Sequence, residues 1–368
     1  MRILLLNQFI PPDGAPTARL LGDLRERLES EGWEVKLVGA SAGYQGGAKT
    51  GASRLARDIK AHLLLLWAGL RAGPCDWVLC LTDPPGLPFT AAVLAAIKRA
   101  RLAHWAMDVY PEVAVRLGAL RRGAVSRTVA ATMRLGYRRS EVLVALDEDM
   151  RRIIENAGGR NVRIQPPWPP LVGMDAATEN PAGAGPQKPG TRRTWLYSGN
   201  LGRAHEYADL LEAQRQLESE GASWQLVFQG GGPSRDKARA EAADMELRHC
   251  LWQDYAPEEQ LIDSLLAADV LVATQKESML GLLWPSKLAL MMQLQRPILW
   301  VGPADGHIAA ELRAHSPAHG VFAPGQASAI AAWLRNLPPS PAEVPAGKAG
   351  ICARVNTLRD SGLTRMAD

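Results

Sequence analysis

The stretch that decides the fold is Thr194-Trp195-Leu196-Tyr197-Ser198-Gly199-Asn200-Leu201-Gly202-Arg203-Ala204-His205-Glu206. Thr194–Ser198 has the make-up of a short buried strand, two glycines open a turn, and the residues that follow, to 220, have helical spacing. Strand, glycine turn and helix make half of a βα unit, and the order recurs downstream. Strands at Trp224–Gln229, Val270–Ala273 and Pro297–Val301 alternate with helices over 204–220, 235–246, 257–267, 286–294 and 325–336. Upstream, Arg2–Leu6, Glu34–Val38, Trp77–Leu81, Ala103–Met107 and Val142–Ala145 read as strands, with helices over 17–31, 52–70, 87–101, 124–139 and 149–157. Alternation of this kind predicts parallel, doubly wound sheets. Pro166–Arg193 is rich in Pro, Gly and Ala, the composition of a linker. The expected organisation is therefore a Rossmann-like domain over 1–170, a linker over 171–193 and a second Rossmann-like domain over 194–340. A terminal segment over 341–368 is expected to pack back toward the first domain.

Length and composition agree with two such domains. The 368 residues are 47% hydrophobic and 22% charged, too apolar for a disordered chain. The apolar run Ala61–Leu70, between Lys60 and Arg71, is about half of what a membrane-spanning helix needs. The start MRILLLNQF has no signal-peptide pattern, so a cytoplasmic location is expected. Cys75, Cys80, Cys250 and Cys352 show no metal-ligand spacing and are expected to be reduced thiols. Charge is unevenly spread: residues 1–170 hold 24 Lys and Arg against 16 Asp and Glu, and residues 171–368 hold 18 against 22. No acid lies between Glu112 and Glu141, where Arg116, Arg121, Arg122, Arg127, Arg134, Arg138 and Arg139 attract phosphate-bearing partners. In Ser53–Leu70, Leu55, Ile59, Leu63, Leu66 and Leu70 share one helical side and Arg54, Arg57 and Lys60 lie mostly on the other. That pattern suits a packed surface helix, or one lying against anionic lipid.

Doubly wound sheets bind ligands beyond the carboxyl ends of their strands, so the loops after strands carry the candidate residues. After the first strand, Asp13, Gly14 and Ala15 lead into a helix whose opening N–H groups suit an anion. His104, Asp108 and Glu112 gather near a later strand end and could hold hydroxyl groups or supply a base. Asp147-Glu148-Asp149 matches a metal-binding DxD, but it opens a helix, where Asp147 reads as the cap; no metal is expected. In the second half, Asn200, Gly202 and Arg203, then Gly230, Gly231 and Gly232 with Arg235, form glycine loops at successive strand ends, suited to a nucleotide diphosphate with the amides of the helix start after Arg203 beneath it and the guanidinium above. Ser286 and Lys287 open a further helix, and a lysine placed there calls for an anionic ligand.

Taken in order, NQFIPPDGAPTARL, LTDPPG, MDVYPEVAVRLG, LDEDM, YSGNLGRAHEY, QGGGP and WPSKLALMMQLQRP resemble the family-4 glycosyltransferases of the GT-B fold. The likeness is greatest to the bacterial O-antigen and colanic-acid group that transfers amino- or deoxy-sugars. It implies two Rossmann-like domains facing across a cleft, and metal-independent, retaining transfer from a nucleotide-diphosphate sugar. Carried over by position, Gly14 and Ala15 lie against the donor. Asp108, Arg203 and Lys287 act in catalysis, and Asn200, Gly202, Arg203, Gly230–Gly232, Arg235, Glu277, Ser286 and Lys287 bind the donor. Asp13, His104 and Glu112 are assigned to the acceptor. Two departures stand out: Leu282 and Leu290 occupy the places of a customary glutamate pair, and Gln295 stands where glycine is usual. With the ribose glutamate missing, Glu277 is the substitute.

The function expected is transfer of a sugar, UDP-sugar favoured, to a lipid-linked saccharide at the inner face of the cell membrane. The partners expected are the nucleotide-sugar donor, that acceptor and an anionic membrane surface; no cofactor and no nucleic acid are expected. A nucleotide-sugar epimerase of the same fold, or an inactive scaffold, are the alternatives.

Overall fold

The computed structural model describes residues 1–40, 51–169, 192–294 and 296–338. Residues 171–191 of the linker expected over 171–193, the segment over 341–368, Gln295 and Cys352 fall outside them; Arg193 already belongs to a strand. The chain divides into two compact units, 1–168 with 281–284, and the remaining described residues.

In the first unit β1 (Arg2–Leu6), β2 (Glu34–Val38), β3 (Trp77–Cys80), β4 (Arg101–Trp105), β5 (Val142–Ala145) and β6 (Val162–Ile164) form one parallel sheet, ordered β2-β1-β3-β4-β5-β6. Leu4, Leu5 and Leu6 of β1 are wholly enclosed, because helices cover both faces of a parallel sheet. The helices are α1 (Pro16–Ser30), α2 (Gly51–Arg71), α3 (Leu87–Lys98), α4 (Glu112–Arg116), α5 (Ala124–Arg139) and α6 (Glu148–Asn156). The crossover through α1 runs in the opposite sense along the sheet from those through α2, α3 and α5. Right-handed connections therefore put α1 on one face and the other three on the opposite face, where α3 packs against both α2 and α5.

The second unit repeats the plan with β7 (Arg193–Ser198), β8 (Trp224–Gln229), β9 (Cys250–Gln253), β10 (Val270–Thr274), β11 (Ile298–Val301) and β12 (Gly320–Phe322), ordered β12-β11-β10-β7-β8-β9. Its helices are α7 (Ala208–Ser219), α8 (Arg235–Asp244), α9 (Leu261–Leu266), α10 (Lys287–Met291), α11 (His307–His315) and α12 (Ala327–Asn336). Trp195, Tyr197, Leu210, Leu226, Val272, Leu299 and Ile330 are among its fully buried core.

Several expected boundaries move, for local reasons. The helix expected over 87–101 stops at Lys98 because Arg99 adopts a left-handed backbone (φ 55°) and Ala100 N–H bonds back to Ala95 C=O, which closes the last turn. The helix expected from 204 begins at Ala208, so Arg203 sits in the loop and not in a first helical turn. The helix expected over 286–294 spans only Lys287–Met291, and that over 257–267 is a 3-10 turn followed by α9. Strands β6, β9 and β12, which the hydrophobic pattern does not reveal, are three or four residues long and lie at or next to sheet edges.

Candidate functional site

In the second unit the carboxyl ends of β7, β8 and β10 converge. Gly199 (φ +125°), Gly230 (φ +129°) and Gly232 (φ +123°) adopt backbone that side chains disfavour. Their two loops are zipped together: Gly199 N–H donates to Gln229 C=O at 2.8 Å, Leu201 N–H to Gly231 C=O at 2.7 Å, and Ser234 N–H to Leu201 C=O at 3.0 Å. A Cβ on Gly230 would strike the Gly199 carbonyl, and one on Gly232 would lie 2.5 Å from Asn200 Oδ1 and 2.6 Å from Leu201 N. These glycines are thus required by the approach of one loop to the other.

Lys287, the first residue of α10, turns back under this platform. Its Nζ lies 3.2 Å from the centroid of the Tyr197 ring and 3.6 Å from where a Gly199 Cβ would stand. The ammonium is shielded from solvent and has no hydrogen-bond partner among the described residues. Burial holds its pKa well below the ordinary lysine value. Tyr197 in turn is fixed through its hydroxyl, which donates to Asn200 C=O at 3.0 Å. The Tyr197 ring meets His205 edge-on at 5.8 Å between centroids. His205 Nδ1–H donates to Thr274 C=O at 2.7 Å. Burial first, and then the charges of Lys287 and Lys276, push its pKa down to about 3, so the imidazole is neutral and presents Nε2 as an acceptor. The pocket floor is a buried cation, a π face and a neutral imidazole, and among the described residues burial alone, with no neighbouring acid, sets the lysine's shift. Such a floor accepts an anion.

The other donor candidates are placed as follows. Asn200 and Arg203 are exposed on the loop, and Gly202 lies beside His205. The amides at the start of α7 are not free for a phosphate, because the Glu206 carboxylate accepts from both Tyr207 N–H and Ala208 N–H at 3.0 Å; the expectation of helix-terminal amides beneath a diphosphate is corrected here. Arg235 leans on β9, bonding Gln253 C=O at 3.2 Å and Asp254 at 3.3 Å. Ser286 is exposed before α10, and Glu277 is exposed on a 3-10 turn whose preceding Lys276 N–H bonds Ala204 C=O at 2.8 Å. Leu282 and Leu290 are both buried.

The carboxyl ends of the first sheet are built differently. Asp13 Oδ1 accepts from Ala15 N–H at 2.9 Å, so a carboxylate already occupies the opening of α1, and Pro16 brings no N–H; that helix start is not the open anion site expected. Gly14 is exposed and Ala15 is buried. The Thr82 hydroxyl accepts from Met107 N–H at 2.8 Å and from Asp108 N–H at 3.4 Å, tying the ends of β3 and β4 together and setting Asp108 in the neighbourhood of Asp83. The half-buried Asp108 carboxyl rises to about 7, through burial first and then the charge of Asp83. Gly281–Trp284 packs in this unit: Val109 N–H donates to Leu282 C=O at 2.8 Å, and Asp108 pairs with Leu283 in an antiparallel bridge. His104 is a correction. Its ring is fully enclosed, bonded through Nδ1 to Cys80 C=O at 3.2 Å and stacked on Tyr137, so it cannot meet an acceptor; its even spacing along β4 turns it into the core. Glu112 is exposed at the start of α4. Asp147 accepts from Met150 N–H at 2.7 Å and caps α6.

Asp83, Tyr197 and His205 were missed as site residues. Each stands inside a quoted motif, LTDPPG or YSGNLGRAHEY, and only the folded contacts distinguish it from its neighbours.

The arrangement is that of the GT-B fold: two parallel-sheet, Rossmann-like domains. Residues 183–282 match the family model described as glycosyl transferases group 1. Sucrose-phosphate synthase from Thermosynechococcus elongatus is similar at 14% identity over 100% of this chain and 97% of its own, with a TM-score of 0.69. HepE of Anabaena, in complex with UDP and glucose, is similar at 12% identity over the whole of both chains, with a TM-score of 0.64. WaaG, a glycosyltransferase involved in lipopolysaccharide biosynthesis, is similar at 16% identity over 99% of each chain, with a TM-score of 0.65. No curated protein matches the chain. The chain thus combines a GT-B architecture with a stretch, residues 183–282, that is similar to glycosyl transferases group 1.

Proposed function

We propose that this chain is a retaining, metal-independent glycosyltransferase of family 4 that transfers a hexosyl or N-acetylaminosugar residue from a UDP-sugar to a lipid-linked saccharide in bacterial surface polysaccharide synthesis. It acts as a peripheral protein at the cytoplasmic face of the membrane. The observation that carries the reading is Lys287: a shielded ammonium without a counter-charge, beneath a glycine platform, is what a diphosphate would complete. UDP is favoured because HepE, of the same fold, is complexed with UDP.

In the proposed transfer the bond from the sugar C1 to the diphosphate oxygen breaks and a bond from C1 to an acceptor oxygen forms. Negative charge grows on the departing diphosphate, and Lys287 and Arg203 stabilise it without the reorganisation that water would need. The acceptor hydroxyl loses its proton; Asp108, whose carboxyl titrates near neutrality, orients that hydroxyl and can exchange the proton. With Leu282 and Leu290 apolar and buried, Glu277 is the proposed ribose contact. No cofactor takes part, and the metal-independent reading rests on Asp147 being engaged as a cap.

Thermal-shift titration with UDP, GDP, ADP and TDP tests the site. A nucleotide diphosphate at about 100 times its dissociation constant should stabilise the wild type by about 2.7 kcal/mol and the Lys287→Ala variant far less. Equal shifts in the two proteins would remove Lys287 from the site.

A further inference from the structure

Among the described residues, the exposed large apolar side chains concentrate on one helix. Ile59, Leu63, Leu64, Trp67 and Leu70 of α2 are all exposed, Leu63 to 64% and Trp67 to 55%. Ile59, Leu63, Trp67 and Leu70 fall within about 80° of one another on a helical projection, so they form a single ridge along α2. The opposite side of the helix, Ala61 and Leu65, is the buried one. The sequence pattern that suits a core-facing stripe through Ile59, Leu63 and Leu70 is therefore turned outward.

That orientation is locked. A Cβ on Gly69 would meet Leu94 Cδ2 of α3 at 2.5 Å, so the helices touch there almost backbone to side chain. His62 reaches across at the same seam, Nδ1 to Thr90 Oγ1 at 2.8 Å and Nε2 to Pro85 C=O at 3.1 Å. Rotating the ridge inward would break both contacts. Burying four large apolar groups in this unit is thus closed to the chain, and the ridge stays available to something else.

The charge around the ridge selects that occupant. The three neighbouring helices α2, α3 and α5 carry nine Lys and Arg and a single acid, Asp58, whereas α1 on the other face of the same sheet carries three of each sign. The Arg71 guanidinium stacks over Trp67 at 4.0 Å from its ring centroid, joining an apolar body to a cationic rim. No described helix is long and apolar enough to cross a membrane, so a ridge of this kind lies in the interface plane. We propose that the α2 ridge formed by Ile59, Leu63, Trp67 and Leu70 inserts into the headgroup boundary of an anionic bilayer, with Lys60, Arg71 and the α5 arginines against the lipid phosphates. This deepens the peripheral-membrane reading above by assigning its surface, and it rests on that reading; it makes the arginines secondary and the apolar ridge primary.

The test is co-sedimentation of the full chain with phosphatidylcholine vesicles and with vesicles containing about one third phosphatidylglycerol. Wild type should bind the anionic vesicles and not the neutral ones. Leu63→Glu/Trp67→Glu should lower the partition coefficient by about tenfold or more, because two apolar groups leave the interface and two like charges enter it. Leu63→Ser/Trp67→Ser should lose less, and Lys60→Gln/Arg71→Gln severalfold with a flatter salt dependence. All these side chains are exposed, so melting temperatures and UDP affinity should match wild type. UDP affinity reads the donor site alone, so its loss or absence would count against the proposed function and leave the vesicle result to be judged by itself. Wild type failing to bind anionic vesicles, or binding unchanged in Leu63→Glu/Trp67→Glu, would overturn the proposal. So would light scattering that shows a dimer which the double variant dissociates, since the ridge would then join two copies of the chain.

Discussion

The carboxyl edges of the two sheets share an architecture and differ in charge. The second unit presents a cation without a partner, Lys287, on a floor of Tyr197 and neutral His205. The first presents carboxylates, Asp13, Asp83 and Asp108, one of them pushed to about 7. Each edge has the sign opposite to the net charge of its own half of the sequence, +8 for 1–170 and −4 for 171–368. Net charge reports the outer surface, which a membrane or solvent meets; the site is set by which few side chains the strand ends bring inside. An unbalanced ammonium asks for phosphate, and carboxylates ask for hydroxyl protons, so the contrast supports a donor seat in the second unit and an acceptor seat in the first.

Three substitutions would break or sharpen this contrast. The largest effect is expected from Lys287→Met. Loss of a charge-assisted contact worth about 1.5–3 kcal/mol should weaken UDP binding by roughly 10- to 100-fold in calorimetry. The melting temperature of the free protein should rise, because a buried polar nitrogen without a hydrogen-bond partner, costly in either protonation state, is gone. A variant that binds less tightly and is also less stable would show that Lys287 serves packing.

Gly232→Ala comes next. The added Cβ meets Asn200 Oδ1 and Leu201 N in a backbone that side chains rarely adopt, so stability should fall by about 1–3 kcal/mol with nucleotide affinity falling alongside it. Gly14→Ala, whose Cβ has open space, is the control and should change stability little. Equal losses at the two glycines would deny the loop-on-loop contact its role.

The smallest effect concerns pH. Asp108 holds its proton in the folded state up to about pH 7, well above an unfolded carboxyl, so the fold binds more protons than the unfolded chain between those values. Its contribution is therefore a penalty above about pH 7 that disappears as pH falls toward the unfolded value near 4. Asp108→Asn removes the titration and should raise stability at alkaline pH relative to wild type while leaving mildly acidic pH nearly unchanged. Parallel melting-temperature profiles for the two proteins would mean that Asp108 is well solvated.

Much of this was legible in the residues. The βα alternation gives both sheets, since strands such as Val142–Ala145 and Val270–Ala273 are continuous apolar runs. The short rim strands β6 (VRI), β9 (CLWQ) and β12 (GVF) escape because an arginine, a glutamine or a glycine leaves each without a continuous apolar run. Lys287 was legible because a lysine at that place has no local reason; that it folds onto Tyr197 was not, since the two are 90 residues apart and meet only through the β7–β10 pairing. His104 misled because a histidine near a strand end is reactive or enclosed according to the face it takes, which a single sequence does not fix. Glu206 capping α7 was equally hidden: the same carboxylate could have stayed in solvent and left the amides open. The α2 ridge shows the converse, a period that was legible while the side it faces was left between packing and lipid, because Gly69 and His62 decide which side meets α3.

The central claim, that an anion completes a buried lysine whose charge the free protein disfavours, is tested most directly by proton uptake on binding. Titrating UDP into the wild type at a series of pH values up to about 10, in buffers of different ionisation enthalpy, gives the number of protons taken up at each. Burial depresses the Lys287 pKa in the free protein and a bound diphosphate raises it, so wild type should take up protons on binding while Lys287→Met takes up correspondingly fewer. Identical proton uptake in the two proteins would contradict the account, since the anion would then be completing some group other than Lys287.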